Sequence, residues 1–250
     1  MGKGKNKLKN FSSQNVIDAM TVLGWEQSMI EGSNPLILKE KMVGKAVTLG
    51  FVRYRKDLLD DMPKGINSPE YESFELCDNE SVLVASSVGK YESIGGDIKF
   101  LRLFQKKVAG LVTDGSVRDS ESLKEYNFPV YAHSYTSKQG PGIMLPYHVN
   151  QPINCGGVLV RPGDYIIGDN DGVVVLPEKI AVESIKIIEE RDNLANKYGF
   201  LSCPEGAATL AGYNKALQLG LIDSNETTVL FNCATGLKYP MPEVNNKFND

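Results

Sequence analysis

Residues 95–120 read GGDIKFLRLFQKKVAGLVTDGSVRDS, and the way this stretch is divided decides the fold. Ile98, Leu101 and Phe104 recur every three residues. That spacing predicts a helix with one apolar side, and Asp97 is placed to cap its start. VAGLVTDG then reads as a short buried strand, stopped where Asp114 and Gly115 turn the chain. Upstream, the β-rich run SVLVASSVG at 81–89 supplies a strand before the helix. Strand, helix and strand in this order form a crossover unit. Its two strands run parallel as neighbours, so the loops leaving their carboxyl ends share one edge of the sheet.

That edge gathers chemistry. A helix beginning near Gly96 and Asp97 aims unpaired backbone N–H groups at it, while Arg118 and Asp119 arrive from the adjacent strand. An anion-binding helix terminus, a planar guanidinium and a carboxylate suit a small oxo-acid gripped by its carboxylate, with a hard divalent cation on Asp119. From spacing alone the competing reading is a turn-surface ion pair between Arg118 and Asp119, with Asp97 only a cap.

Bulk properties narrow the field. The chain has 250 residues, 42% hydrophobic and 23% charged, enough for a substantial core in one large domain or one domain with an appendage. A net charge of -4 gives no basic field for nucleic acid, and no apolar run reaches membrane-spanning length. Four cysteines, Cys77, Cys155, Cys203 and Cys233, stand far apart without a CxxC pair, and only His133 and His148 accompany them. Neither a zinc site nor a disulfide framework is expected, and the setting reads as reducing and cytoplasmic. Residues 1–10, MGKGKNKLKN, read as a basic, solvated, disordered tail.

Elsewhere the signals are structural. FSSQNVIDAMTVLG offers Ser12 or Ser13 as a helix cap, Val16, Met20 and Leu23 as one face, and Gly24 as a stop. GDNDG, with Asp169 and Asp171, is too short for an EF-hand loop and reads as a tight turn between DYIIG and VVVLP. His133 and His148 read as hydrogen-bonded structural residues.

From about Phe11 to Arg191 the sequence resembles the RraA-like family, which comprises class II pyruvate aldolases, such as 4-hydroxy-4-methyl-2-oxoglutarate aldolase, and the regulator of ribonuclease E activity A. The resemblance is carried, in order, by VIDAMTVLG, MVGKAVTLG, GGDIKF, AGLVTDGSVRDSESLKEYNFPVYAH, GPG and NCGGVLVRPGDYIIGDNDGVVVLP. The family's aldolase signature, an Asp followed after twenty residues by Arg-Asp, is met by Asp97, Arg118 and Asp119. The resemblance implies an α/β layered sandwich with a central β region flanked by helices. It also implies homotrimers or homohexamers with active sites between protomers.

Carried over residue by residue, it implies that the backbone amides of Gly96, Asp97, Ile98 and Lys99 contact a pyruvyl carboxylate. Arg118 would hold the oxo-acid, Asp97 and Arg118 would position a water for proton transfer, and Asp119 would anchor Mg2+ or Mn2+. The implied activity is retro-aldol cleavage of a 4-hydroxy-2-oxo acid to pyruvate, with oxaloacetate decarboxylation through the same enolate. The non-catalytic alternative within the resemblance is a regulator that binds a protein such as a ribonuclease. That type has Gly where this chain has Asp97. One position departs from the aldolases, in which a helix Arg is followed four residues later by Glu. Here Arg191 is followed by Ala195, with Leu194 beside it, and Glu189, Glu190 and Asp192 lie on other faces of the helix; either a different acid substitutes, with Glu26 and Glu31 as further candidates, or aldol cleavage is weak and only the enolate chemistry survives.

Residues 200–240 resemble instead the C-terminal end of threonine synthase, through PEGAATLAGYNKALQLG and the later GLKYP. The lysine and phosphate-loop regions of that enzyme have no counterpart here, so no cofactor site is implied. The expected organisation is a tail at 1–10, an RraA-like domain at 11–198 and a short α/β appendage at 199–250. The helix expected over 204–220 must dock, since about fifty residues bury little core alone. The closing EVNNKFND reads as a frayed end.

Overall fold

The computed structural model describes residues 6–38 and 40–238. These divide into two compact units, Ser28–Glu178 and a second formed by residues 6–27 with residues 179–238.

The unit Ser28–Glu178 is built on an eight-stranded sheet. Its strands are β1 (Asn34–Ile37), β2 (Met42–Arg53), β3 (Ser81–Ser86), β4 (Gly110–Thr113), β5 (Val130–Ala132), β6 (Met144–Val149), β9 (Tyr165–Asp169) and β10 (Gly172–Leu176). A separate hairpin joins β7 (Ile153–Cys155) to β8 (Val158–Val160). The order is β1-β5-β4-β3-β2-β9-β10, with β6 also paired to β2. The predicted crossover is present: β3 and β4 pair in parallel, Val82 opposite Gly110 and Ala85 opposite Thr113. Pairs β2·β3 and β4·β5 are parallel as well, so β3, β4 and β5 all point their carboxyl ends the same way. The GDNDG turn is the two-residue loop of the β9–β10 hairpin, as its sequence predicts.

Successive strand residues face opposite sides, and both sides are buried. Leu83, Ala85, Leu111, Val130 and Ala132 enter one core, which is covered by Phe74 of α3 (Pro69–Leu76), Phe100 and Leu103 of α4 (Asp97–Gln105), and Leu123 of α5 (Ser120–Tyr126). Val82, Val84, Val112 and Tyr131 enter the other, against the β7–β8 hairpin and β9–β10. Such two-sided burial explains why β3 and β4 read as continuous apolar runs rather than alternating ones. A shorter helix, α2 (Lys56–Asp61), contributes no buried residue.

Two details of α4 correct the sequence reading. Gly96 is the N-cap and Asp97 the first helical residue. The buried side is Phe100 and Leu103, whereas Ile98 is 74% exposed and Phe104 44%. Both stripes recur at helical spacing, and the sheet selects the one carrying Phe100.

The second unit packs α1 (Ser13–Val22), α6 (Ala181–Tyr198) and α7 (Pro204–Gln218) against one another. Ser12 caps α1, its Oγ accepting the Asn15 N–H at 3.2 Å, and Gly24 follows the helix with φ 74°. The tail expectation fails from residue 6 onward: Leu8 is fully buried and Lys7 pairs with Glu189 at 2.6 Å. Helix α7 packs on α1 and α6 within the same unit. Among its described residues the segment after 199 has no strand beyond an isolated bridge between Ser202 and Thr235. Val229 and Phe231 of that segment stand exposed. EVNNKFND lies outside the described residues. No described helix is long and apolar enough to cross a membrane.

Candidate active site

Beyond their last regular residues, the loops leaving β3, β4 and β5 remain laced together. Ser93 and Ser116 form one parallel bridge, and Val117 and Tyr135 form the next. The Arg118 N–H donates to the Gly95 carbonyl at 3.1 Å, and the Thr136 N–H to the Val117 carbonyl at 2.9 Å. Asp114 braces this edge: its carboxylate accepts the Ser87 N–H at 2.7 Å and the Gly156 N–H at 3.0 Å. Val117 is buried in the core, so alternation turns Arg118 to the opposite side.

On this frame Asp97, Arg118 and Asp119 meet. Asp119 Oδ2 accepts the Asp97 N–H at 3.2 Å, and Oδ1 accepts from Arg118 Nε at 3.3 Å. Asp97 Oδ1 accepts the Ile98 N–H at 2.6 Å, which pins that carboxylate to its own helix terminus. Asp119 has φ 60° and ψ 46°, a left-handed backbone that costs about 1 kcal/mol in a non-glycine residue. Strain of this kind concentrates at functional positions. Gly96 lets the loops approach: a Cβ there would lie 2.0 Å from Asp119 Oδ2 and 2.7 Å from Arg118 Cγ.

The three side chains form a ridge between two hollows. One, about 390 Å³, is bounded by Gly95–Lys99 and by Gln139, Gly140 and Pro141. The other, about 610 Å³, adds Glu121, Tyr135 and the hydroxyls of Ser120, Ser122, Thr136 and Ser137. Glu121 and these hydroxyls were absent from the sequence reading. The Asp-Ser-Glu-Ser run directly after Arg118 was the available signal, since a helix starting there turns its first residues toward the same edge.

Lys99 contributes differently from its neighbours. Its Nζ donates to Glu70 Oε1 at 2.7 Å, tying α4 to α3. Burial pushes the Glu70 carboxyl above the ordinary carboxylate range, and the Lys99 charge opposes that shift. Only the Lys99 backbone is therefore offered to a ligand.

The arrangement fits a hard cation. Each Asp119 oxygen accepts one hydrogen bond, and an ionised carboxylate has about four acceptor sites, so lone pairs remain. Mg2+ and Mn2+ accept one or two carboxylates and keep the rest of their shell as water, which hollows of this size can hold.

In the second unit, Arg191 is buried and its Nη1 donates to Asn15 Oδ1 at 2.7 Å. Of the base candidates there, Glu189 is held by Lys7 and Glu190 accepts from Asn214 Nδ2 at 3.1 Å. Neither histidine lines the two hollows: His133 packs on Tyr91 and His148 on Tyr147, and the His133 Nδ1 is buried without a hydrogen-bond partner, which departs from the expected hydrogen-bonded role.

The model of the RraA-like family, Aldolase/RraA, matches residues 13–175. An uncharacterised protein of Methanocaldococcus jannaschii is 34% identical over 199 residues, covering 79% of this chain and 86% of that protein. The 4-hydroxy-4-methyl-2-oxoglutarate aldolase of Thermus thermophilus is 36% identical over 89 residues, 34% of this chain, which spans only 51% of that enzyme's length. Among solved structures, Streptomyces coelicolor RraAS2, an unusual member of the RNase ES inhibitor RraA protein family, has 26% identity and a TM-score of 0.71. It covers 80% of this chain and 98% of its own.

Proposed function

Because this chain belongs to the RraA-like, Aldolase/RraA family, we propose that it is a metal-dependent lyase that cleaves a 4-hydroxy-2-oxo acid to pyruvate. The observation that carries the proposal is the meeting of Asp97, Arg118 and Asp119 on one ridge flanked by hollows. In this reading the smaller hollow receives the pyruvyl end. Its carboxylate faces Arg118 and the backbone N–H groups of Gly96 and Lys99, since the Asp97 and Ile98 N–H groups already donate to the Asp119 and Asp97 carboxylates. The larger hollow, with its hydroxyls, receives the portion beyond C4.

Cleavage requires three acts of the chain's own residues. A base takes the proton from the C4 hydroxyl. The C3–C4 bond then breaks, its electron pair passing into the pyruvate enolate while C4 becomes a carbonyl. A proton finally returns to C3. Asp97, pinned by the Ile98 N–H, holds the water that carries these protons, and Glu121 adds a second carboxylate to the wall of the larger hollow. Arg118 fixes the oxo-acid plane throughout. A divalent cation held by Asp119 would supply polarisation of the C2 oxo group. Oxaloacetate decarboxylation needs the same enolate and no C4 base, so it belongs to the same proposal. We also place the working form in a homotrimer or homohexamer.

The test is pyruvate release from a panel of 4-hydroxy-2-oxo acids and oxaloacetate with Mg2+ or Mn2+. Turnover abolished by a chelator and by Arg118→Ala is expected. No turnover anywhere on the panel defeats the proposal. The likeness to RraAS2 favours a second reading, a non-catalytic regulator acting on a protein partner. Stoichiometric recovery of such a partner, together with no turnover, would select it.

A further inference from the structure

The four cysteines are far apart in sequence, yet two of them meet in the second unit. Cys203 Sγ and Cys233 Sγ lie 3.7 Å apart. With a Glu205 carboxylate oxygen they form a group whose three donor atoms all lie within 4.8 Å of one another. No other such group of three His, Cys, Asp or Glu donors occurs among the described residues.

The group is assembled by more than chance proximity. Cys203 is the N-cap of the fifteen-residue helix α7, its Sγ accepting the Gly206 N–H at 3.4 Å, and Glu205 sits in the helix's first turn. Cys233 is delivered by a return segment held to the start of α7 by main-chain bonds. The Cys203 N–H donates to the Ala234 carbonyl at 3.4 Å, and the Gly236 N–H to the Leu201 carbonyl at 2.8 Å. Two glycines permit the approach. A Cβ at Gly206 would lie 2.0 Å from Asn232 Oδ1, and one at Gly236 would lie 2.4 Å from the Ser202 carbonyl.

The sulfur separation is that of two reduced thiols in hydrogen-bond contact, and it is also one that a shared ion can use. A disulfide needs about 2.05 Å between sulfurs. Two thiolates each about 2.3 Å from a tetrahedral ion lie about 3.8 Å apart, which the observed 3.7 Å matches without movement. We propose that Cys203, Cys233 and Glu205 form a binding site for a thiophilic divalent cation, Zn2+ by its chemistry, with the fourth position open to solvent beside the exposed Cys233. Loading replaces two S–H protons: one divalent ion enters and two protons leave. The bound set, two thiolates and a carboxylate around a 2+ ion, carries one net negative charge at a helix N-terminus, where the macrodipole favours it. The ion also ties the return segment to α7. This site belongs to the second unit, differs in donor chemistry from the oxygen ligand proposed at Asp119, and does not depend on the lyase reading.

The experiment titrates reduced, metal-free, full-length protein with Co2+ and records near-ultraviolet thiolate-to-cobalt absorption, which binding at Asp119 cannot produce. One equivalent per chain is expected, expelled by Zn2+, with two protons released per ion. Cys203→Ser, which keeps an N-cap oxygen, and Cys233→Ser, at an exposed position, should each abolish the band. Glu205→Gln should weaken binding by more than about tenfold, a loss that even residues behind the ligands can cause. Gly206→Ala retains all three donors but displaces Asn232, and should weaken the band as well. Absence of a thiolate band in the reduced protein, or its persistence in the Cys203→Ser, Cys233→Ser double variant, overturns the proposal. If Cys203→Ser fails to fold, Cys233→Ser alone decides.

Discussion

Replacing Gly96 by alanine tests the ridge with a single methyl group. The backbone there is extended, φ -152° and ψ -153°, with φ outside the left-handed region that favours glycine. Its Cβ would start 2.0 Å from Asp119 Oδ2, and a contact of 3.4 Å requires the carboxylate to retreat by about 1.4 Å. Arg118 Cγ, at 2.7 Å, must yield as well. Both side chains are about a third exposed, so they can swing into the hollows, and the fold should lose no more than about 1 kcal/mol. Catalysis is less forgiving. A misplacement of about 1 Å costs on the order of a hundredfold, or about 2.7 kcal/mol of barrier. The assay is pyruvate release under saturating Mg2+ or Mn2+, alongside a denaturant unfolding curve. A Gly96→Ala protein that folds normally and keeps wild-type turnover within twofold would refute the claim that Asp119 and Arg118 work where they stand.

Arg118→Lys should retain less than about a tenth of the activity, because an ammonium cannot hold a carboxylate in the plane a guanidinium fixes; kinetics on the same substrate panel check this. Asp119→Asn should leave the unfolding midpoint nearly unchanged while removing the response of turnover to added metal. Glu70 has its carboxyl raised by burial, so the folded state holds its proton more tightly than the unfolded state does. Its contribution is full below about pH 4.5 and is lost as pH rises through the raised value. Glu70→Gln should therefore flatten the stability profile above pH 4.5, read as denaturant midpoints across that window. Leu111, fully buried on β4, should cost about 3 kcal/mol when cut to alanine. Equilibrium unfolding measures that loss.

The crossover was legible because its signals were local: an apolar run, a helix-length segment, a second run and an Asp-Gly turn. Its parallel pairing follows from connection length. The face of α4 was not legible, since Ile98, Leu101 and Phe104 compete with Phe100 and Leu103, and only contact with the sheet breaks the tie. At the site, Asp97, Arg118 and Asp119 could be found because they stand where a helix starts and where a strand's loop leaves the sheet edge. Glu121 is signalled only by the run that follows Arg118, and Thr136 has no such signal, because its place depends on how the loop after β5 closes. The meeting of Cys203 and Cys233 was invisible for the same kind of reason. Thirty residues of sequence separate them, and the approach rests on two glycines whose role appears only against the opposing chain.

The lacing of the loops beyond β3, β4 and β5 bears on how such a protein can change over evolutionary time. Gly95 and Arg118 are joined through main-chain atoms, and so are Val117 and Thr136. Amide and carbonyl groups are common to nearly every amino acid, so this scaffold is indifferent to which side chains it displays. A lineage could exchange the acid at Asp97 for a smaller residue, silence the chemistry, and still inherit an intact platform for some other employment.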